Sequence, residues 1–513
     1  MRIAILTSAS AGGAGIAATR VAHALREQAG HTVDIFDIEA VGAVSQEVAP
    51  QRSVTNGRLS NTQFTADHGT ARREWLLQTL AGYDVVNAHW TTYLLSIADL
   101  EALAATGVPL LLTLHDSNHV SGGCHYPAGC TGLYTGCSAC PQVDDERFGR
   151  AEVQQVKARK DALLARPNVH LAAPSRYMLD MARDAVAVGD ERLHLLRNPY
   201  APLQIDTPPP ARPFSVMLVA DTLTERRKGA RLAAEALLLF CLTHGRDRPI
   251  RIHVAGKAEE SLLRPLRTTG AELLVHGRIT NHRWLVEIYR TSDVQICPSH
   301  EDNWPNVLVE AAAYGCLAVV GPGHGCEEFA RAYDAGPVCP EYSATAFAQA
   351  LGQIASLDPE ERERRRRMLA EAVNADHAPA TIAVALNAAF ARVAASRSAA
   401  GEPARHERRQ TSGTSSNYLG AATREMLARE ADGRPGSLLL ARTRRATSNG
   451  NMTLHAVYGR DGTPQLIPFG AAEHEVRIAL HHNGERLRHV FAAEANDYGV
   501  SQLGCRVEFD AQS

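Results

Sequence analysis

At 513 residues the chain is too long for one hydrophobic core and should divide into two or three domains. Its 45% hydrophobic content is ordinary for a soluble protein, and a formal net charge of −3 excludes the strongly basic surface expected of a nucleic-acid binder. Ten cysteines spread over this length do not make a disulfide framework. The start, MRIAILTSAS, lacks the basic segment and long apolar run of a signal peptide, and no apolar run is read as spanning a bilayer. The expected location is therefore the cytoplasm.

Strand-like and helix-like runs alternate from the first residues. RIAIL leads through a glycine-rich turn to a helix over 14–28. TVDIFDI, a helix over 70–80, DVVNAH, a helix over 97–105 and PLLLTLH follow. After a loop-rich stretch come a helix over 152–165, VHLAAPS and a helix over 176–185. This alternation predicts a doubly wound parallel sheet. The proline-rich run from Leu195, LLRNPYAPLQIDTPPPARP, reads as a linker. The alternation then restarts with FSVMLVA, a helix over 229–241, IRIHVAG, a helix over 259–266, ELLVHG, a helix over 281–290, DVQICPS, a helix from Asn306, and CLAVVG. Ligands in such folds bind beyond the C-terminal ends of strands, so motifs at those ends carry the functional weight.

PEERERRRR, from Pro359, reads as a solvated helical face, and 381–394 as an apolar-rich helix. Residues 397–418 read as a flexible linker. Beyond it the pattern turns to β. HEVRIALHH and ERLRHVFAAE flank Asn483-Gly484, a pair suited to a type I′ hairpin turn, and LHAVYGRDGTPQLIPF reads as a second hairpin.

Five constellations sit at strand ends. Gly12 and Gly13 follow the first strand and open a helix, where small residues permit close backbone approach and the helix N-terminus favours an anion. His115 and Asp116 follow LLLTL, and a histidine there can hydrogen-bond a sugar hydroxyl. Arg226, Arg227, Lys228 and Gly229 follow FSVMLVA, and cations at that end suit a diphosphate. Lys228 is one of only four lysines, with 157, 160 and 257, in a chain whose positive charge is nearly all arginine. His276, Gly277 and Arg278 form a loop whose backbone could read a nucleobase. The segment DVQICPSHEDNWPNVLVE is the fifth. Asp302 and Glu310 bracket a loop and helix start, and the amides of Asn303 to Val307 between them suit phosphate.

The order GG loop, LHD, RRKG, VHGRI, EDNWPNVLVEAAAYG resembles the retaining glycosyltransferases of family 4, group 1, which have the GT-B fold. The ED-N-x-P-N variant and the cysteine-rich LHDSNHVSGGCHYPAGCTGLYTGCSACPQ are similar to a subgroup of bacterial exopolysaccharide assembly. The resemblance covers roughly residues 1–396. It implies an α/β architecture of two Rossmann-like domains facing a cleft: an acceptor domain over 1–197 and a nucleotide-sugar donor domain over 198–375. A closing helix over 376–396 completes the unit, followed by the linker and a small β-rich module over 419–513. It further implies that Arg227 and Lys228 neutralise the leaving diphosphate, that Asp302 contacts the transferred sugar, and that Glu310 contacts the ribose. Amides near Asn306 and Val307 would cradle phosphate, with Asn303, Arg226, His276, Gly277 and Arg278 also in the donor-binding set. His115 would touch the donor sugar, and Gly12 and Gly13 would stand where that set borders the acceptor. Attack on the same face, through an oxocarbenium-like state, needs no side-chain nucleophile and no donor-site metal. The expected substrates are a nucleoside-diphosphate sugar and a glycan or lipid-linked acceptor, no other cofactor being required. Such an acceptor admits peripheral association at the inner face of the membrane.

The chain departs from the pattern in three places. Ala220-Asp221 stand where the family often has Gly-Arg, so the phosphate arginine must come from Arg226 or Arg227. Asp302 is a methylene shorter than the usual Glu. Pro305 removes one amide from the loop. Cys124, Cys130, Cys137 and Cys140 are spaced C-x5-C-x6-C-x2-C, which leaves structural thiols and a structural zinc, with His125 as a substitute ligand, both open. A nucleotide-sugar epimerase of the same architecture and a non-catalytic sugar-nucleotide-binding module are the competing functions.

Overall fold

The computed structural model describes residues 1–8, 12–37, 64–67, 69, 73–143, 149–205, 212–245 and 248–397, and the strands of the segment 440–509. The chain forms two compact units, Met1–His406 and Glu407–Ser513.

The first unit holds two parallel sheets. In the first half β1 (Arg2–Leu6), β2 (Thr32–Phe36), β3 (Val85–Ala88), β4 (Leu110–Thr113), β5 (Val169–Ala173) and β6 (Leu193–Leu195) lie in the order β2-β1-β3-β4-β5-β6. The helices α1 (Gly12–Glu27), α2 (Arg73–Leu80), α3 (Ile97–Ala105), α4 (Arg150–Leu164) and α5 (Arg176–Ala185) connect them. In the second half β7 (Phe214–Thr222), β8 (Ile250–Lys257), β9 (Glu272–Gly277), β10 (Val294–Cys297) and β11 (Leu317–Val320) run in the order β11-β10-β7-β8-β9. Their connections are α6 (Ala230–His244), α7 (Glu260–Arg267), α8 (His282–Arg290) and α9 (Asn306–Ala312), and α10 (His324–Tyr333), α11 (Ala344–Ala355), α12 (Pro359–His377) and α13 (Pro379–Ala395) follow. The central strands β3, β4 and β10 are buried along their whole length, as strands covered by helices on both faces must be.

The last helix explains an apolar stretch that composition alone presents as a membrane span. Pro359–Ala395 is long and apolar enough to cross a bilayer. Neither the charged run from Pro359 nor the apolar run over 381–394 is by itself such a span. The stretch is two helices, broken where Ala378 turns to φ −52, ψ 133 before Pro379, as a residue preceding proline prefers. Ile382, Leu386, Ala389, Phe390 and Val393 of α13 pack into the first half's core with Ile3, Ile5 and Val21. The chain thus returns from the second half to the first. The crossing is fixed by Tyr200 N–H to His377 O (2.8 Å) and by His377 Nδ1 at 2.8 Å from Asn198 O.

The second unit contains two antiparallel three-stranded sheets. β12 (Leu440–Ala446), β13 (Asn451–Val457) and β14 (Pro464–Phe469) form one, and β15 (Glu475–His482), β16 (Glu485–Ala493) and β17 (Leu503–Phe509) form the other. His482 pairs with Glu485, the residues on either side of Asn483-Gly484, which is the register the hairpin reading requires. The linker expected over 397–418 lies outside the described residues, apart from Arg397.

Buried histidines set an acid limit on stability. Burial pushes His115, His119, His194, His253 and His377 down to about 4, and His170 and His300 to about 3. An unfolded histidine titrates near 6.5. Between the folded and unfolded values the unfolded chain binds more protons, so stability is complete above about pH 6.5 and is lost as pH falls toward 4. The melting temperature is expected to be flat above neutrality and to drop steeply between pH 6.5 and 4. The slope should exceed one proton per chain. A melting temperature unchanged from pH 7.5 to 5 would contradict this.

Candidate functional site

The two sheets of the first unit meet at residues just beyond the C-terminal ends of their strands. Asn303, after β10, donates from Nδ2 to Leu114 O (2.8 Å), just past β4, and its Oδ1 accepts from Ser175 Oγ, just past β5. Asn306 donates to Gly13 O (3.1 Å) after β1 and accepts from Asn198 Nδ2 (3.1 Å). Helix α5 receives the Glu328 carboxylate on the backbone N–H groups of Arg176 and Tyr177 (3.0 and 2.9 Å), a charge that a helix N-terminus favours. Within the second half, Gly325 lets α10 press against the loop that carries Asn303: a Cβ there would lie 1.2 Å from Asn303 O.

At this junction the predicted charged set converges. The 226–228 run is a single 3-10 turn ending at Gly229, which adopts φ +64. A Cβ at Gly229 would stand 2.2 Å from Pro298 O, so glycine is what lets the turn press against the end of β10. Lys228 Nζ donates to Asp302 Oδ2 at 2.5 Å, and Arg227 Nη1 lies 3.3 Å from the same oxygen. Burial alone would raise the Asp302 carboxyl, but the Lys228 and Arg227 cations hold it below the usual carboxylate range. Asp302 and Arg227 are 8% and 9% exposed, so these charges meet where water screens them poorly. Arg226 is exposed, which selects Arg227 as the arginine turned inward. Arg227 Nε bonds Glu225 Oε1 (2.9 Å) and Nη1 bonds Glu301 O (2.9 Å).

The other predicted residues divide. Glu310, on the short helix α9, is held by Arg20 Nη2 (2.7 Å) from α1 and by Tyr289 O–H (3.0 Å), so a ribose hydroxyl there would share a carboxylate already bonded on both oxygens. Val307 lies in the first turn of α9. His115 Nε2 is 2.8 Å from His89 Nδ1 and its ring stacks on that histidine; burial keeps it neutral. His276 is similarly stacked on His253, with Nε2 to Nδ1 at 3.0 Å, and it lies in the sheet as part of β9. Gly277 ends that strand with φ +63, and Arg278 forms an exposed pair with Asp221 at 2.8 Å.

The cysteine-rich loop reaches the site by a route that spacing does not show. Cys124, Cys130, Cys137 and Cys140 line one cavity with Phe64, Leu133 and Val153. Burial pushes the Cys124, Cys137 and Cys140 thiols up, Cys140 to about 12. Gly122 N–H and Gly132 N–H each donate to a sulfur, Cys137 and Cys130, at 3.3 Å. Among the described residues no three His, Cys, Asp or Glu side chains stand where they could hold a metal ion. His125 bonds Asp116 instead, Nδ1 to Oδ2 at 2.6 Å, and Trp90 Nε1 donates to the same oxygen at 2.8 Å. On its other side the loop presents Tyr126 to Arg227 and Ala128 N–H to Glu301 Oε2 (2.8 Å). Tyr126, Glu301 and Arg20 were not singled out from sequence. Their partners lie 101, 173 and 290 positions away, and no local pattern signals such pairs.

The description "Glycosyl transferases group 1" matches residues 214–372, and "Glycosyltransferase Family 4" matches residues 11–202. Together they cover well over half of the chain and correspond to its two parallel sheets. The chain belongs to the group 1 glycosyltransferases of family 4. A family relative is WcaC of Escherichia coli (strain K12), named for glycosyl transfer in colanic acid biosynthesis. It is 25% identical over 222 residues, covering 40% of this chain and 50% of that protein. The chain thus spans about half the length of the curated relative it matches. Among solved structures, sucrose-phosphate synthase of Thermosynechococcus elongatus superposes with a TM-score of 0.51 at 17% identity, over 77% of this chain and 99% of that one. HepE of Anabaena, in complex with UDP, superposes with a TM-score of 0.51 at 14% identity, over 76% and 100%. At these identities the likeness shows the fold, and the family unit is a GT-B fold of two Rossmann-like halves.

Proposed function

We propose that this family 4 protein is a retaining glycosyltransferase. It would move a sugar from a nucleoside diphosphate to a glycan or lipid-linked acceptor in polysaccharide assembly. The observation that carries the reading is the convergence of Lys228, Arg227 and Asp302 at the junction of the two halves. Two cations beside a buried carboxylate can exchange that partner for a diphosphate and stabilise the charge it gains as the sugar leaves. Asp302, released, can accept from the sugar hydroxyls. Amides at the start of α9, with Asn306, would complete the phosphate contacts. In this reading the departing phosphate takes the acceptor's proton, and the chain's own residues position the reactants and exclude water. A lipid-linked acceptor would place the reaction at the inner face of the membrane.

The test is incubation with UDP-, GDP- and ADP-sugars, with and without saccharide acceptors. UDP-sugars come first, because the HepE structure contains UDP. Acceptor-dependent release of the nucleoside diphosphate supports transfer, with the anomeric configuration of the product reporting retention. An isomerised nucleotide sugar would instead mark an epimerase, and binding without turnover a non-catalytic module.

Metal independence is tested in the same assay. Lys228 and Arg227 can carry the charge that a divalent ion carries elsewhere, so EDTA is expected to leave transfer intact. Activity lost to chelation and restored by magnesium, at unchanged thermal stability, would overturn this. Zinc on Cys124, Cys130, Cys137 and Cys140 is a separate proposal, since ligation would require the sulfurs to rotate into the cavity they line. Elemental analysis decides it: about one zinc per chain, lost together with thermal stability, supports a closed structural site.

A further inference from the structure

We propose that Tyr126, carried by the cysteine-rich loop of the first half, is a positioning residue for Arg227 in the second. The donor-phosphate geometry is then set across the junction. Arg227 Cζ stands 3.9 Å from the centroid of the Tyr126 ring. The edge of the guanidinium is committed to its own half, through Nε to Glu225 and Nη1 to Glu301 O and Asp302. The ring occupies its face. Among the described residues Nη2 has no protein partner, and its direction is fixed once edge and face are both held. A guanidinium on a long flexible stem would otherwise lose its aim, and a few tenths of an ångström matter to a charge-assisted phosphate contact.

The ring is itself held from several directions. Its neighbour His125 is bound to Asp116, which also accepts from Trp90 Nε1 and from Asn118 N–H (2.9 Å). Ser117 Oγ donates to Cys124 O (2.9 Å) and to His125 O (3.0 Å), tying down the residues just before the ring. Two residues after it, Ala128 takes φ +47, a strained conformation for alanine, and in that conformation its N–H reaches Glu301. Elsewhere in the loop, buried Cys124, Cys137 and Cys140 anchor it in the first half. The cluster that spacing alone left unexplained is thus the base that presents Tyr126. Glu301, next to Asp302, joins Glu310 and Glu328 as a carboxylate that bonds across the two halves.

The inference rests on the proposed donor chemistry, and the test separates the two. Tyr126→Leu removes the ring face, and Tyr126→Phe keeps it. Each variant and the wild type are titrated calorimetrically with UDP, GDP and ADP, and crystal structures of both variants are determined. Expected is at least a tenfold weaker affinity of Tyr126→Leu for whichever nucleotide the wild type binds, the scale of a desolvated cation–π contact. Tyr126→Phe should bind within about twofold of wild type, because the face is what holds the arginine. Arg227 should leave its position in Tyr126→Leu only. A purely structural role would instead lower the melting temperature without splitting the two variants in affinity. Arg227 in place in the Tyr126→Leu crystal, or affinity unchanged in that variant, overturns the inference. If the wild type binds none of the three nucleotides, the donor reading fails while the crystal structures still decide the positioning.

Discussion

Replacing Lys228 by alanine is expected to cut sugar transfer by about two to three orders of magnitude, the cost of removing one preorganised charge from a leaving group. The fold should survive, for a geometric reason. The turn that carries Lys228 is held by backbone contacts that the substitution does not touch: Lys228 N–H to Glu225 O (2.9 Å), His300 N–H to Arg227 O (2.8 Å), and the approach of Gly229 to Pro298. The ammonium itself meets Asp302 and nothing else among the described residues. Its side chain is 21% exposed, so truncation opens a small solvent-accessible gap and no core cavity. Lys228→Arg should recover only part of the activity, since a planar fork does not replace a compact ammonium against one carboxylate oxygen. The measurement is acceptor-dependent nucleotide release at saturating donor, alongside thermal unfolding. Near wild-type turnover in a folded Lys228→Ala protein would remove this residue from the mechanism.

The parts of the molecule visible in its sequence are those whose signals are local. Apart from β6, each parallel strand is a short apolar run followed by a helix, so β1 to β5, β7 to β11 and most of their helices can be placed to within a few residues; β6, only Leu193–Leu195, merges with the proline-rich stretch that reads as a linker. Two helices resist this. α10 opens with Gly323-His324-Gly325, which reads as a loop, and it becomes helical because Glu327 accepts from Gly323 N–H and the first turn packs against Asn303. α11, ATAFAQALGQIA, has ordinary helical spacing, with Ala346, Phe347, Ala350, Leu351 and Ile354 buried and packing against α6 and β11, but it follows no strand-like run and so falls outside the strand–helix alternation. The site divides in the same way. Lys228, Asp302 and Glu310 stand beside strand ends in recognisable local motifs. Tyr126, Glu301 and Arg20 act across the junction, on partners that only the closed pair of sheets brings near.

Asp302 supplies the sharpest separation between binding and chemistry. Its carboxylate neutralises Lys228 and Arg227 before any ligand arrives, and a diphosphate must displace it. Asp302→Asn removes that competitor and adds one positive charge to the site. The variant should therefore hold a nucleoside diphosphate at least as tightly as wild type. Turnover should nevertheless fall by tenfold or more, on the order of one charge-assisted hydrogen bond to the transferred sugar. Stability should also fall, because buried Arg227 and half-buried Lys228 lose their shared anion; breaking a fully buried pair costs about 3–5 kcal/mol, and the exposure of Lys228 brings the expected loss below that. The stability difference should itself depend on pH. The folded-state pKa of Asp302 is depressed, so its contribution is complete above the unfolded value near 3.9 and is lost as pH falls through the folded one. Wild type and variant should then differ by a constant amount from pH 5 to 8 and converge in strong acid. Calorimetric affinity for UDP, turnover with the active donor, and melting temperature against pH give three independent readings. A variant that turns over normally would leave Asp302 as a structural counter-ion for the basic turn. One that binds nucleotide much more weakly would mean that the carboxylate positions the cations and does not compete with the phosphate.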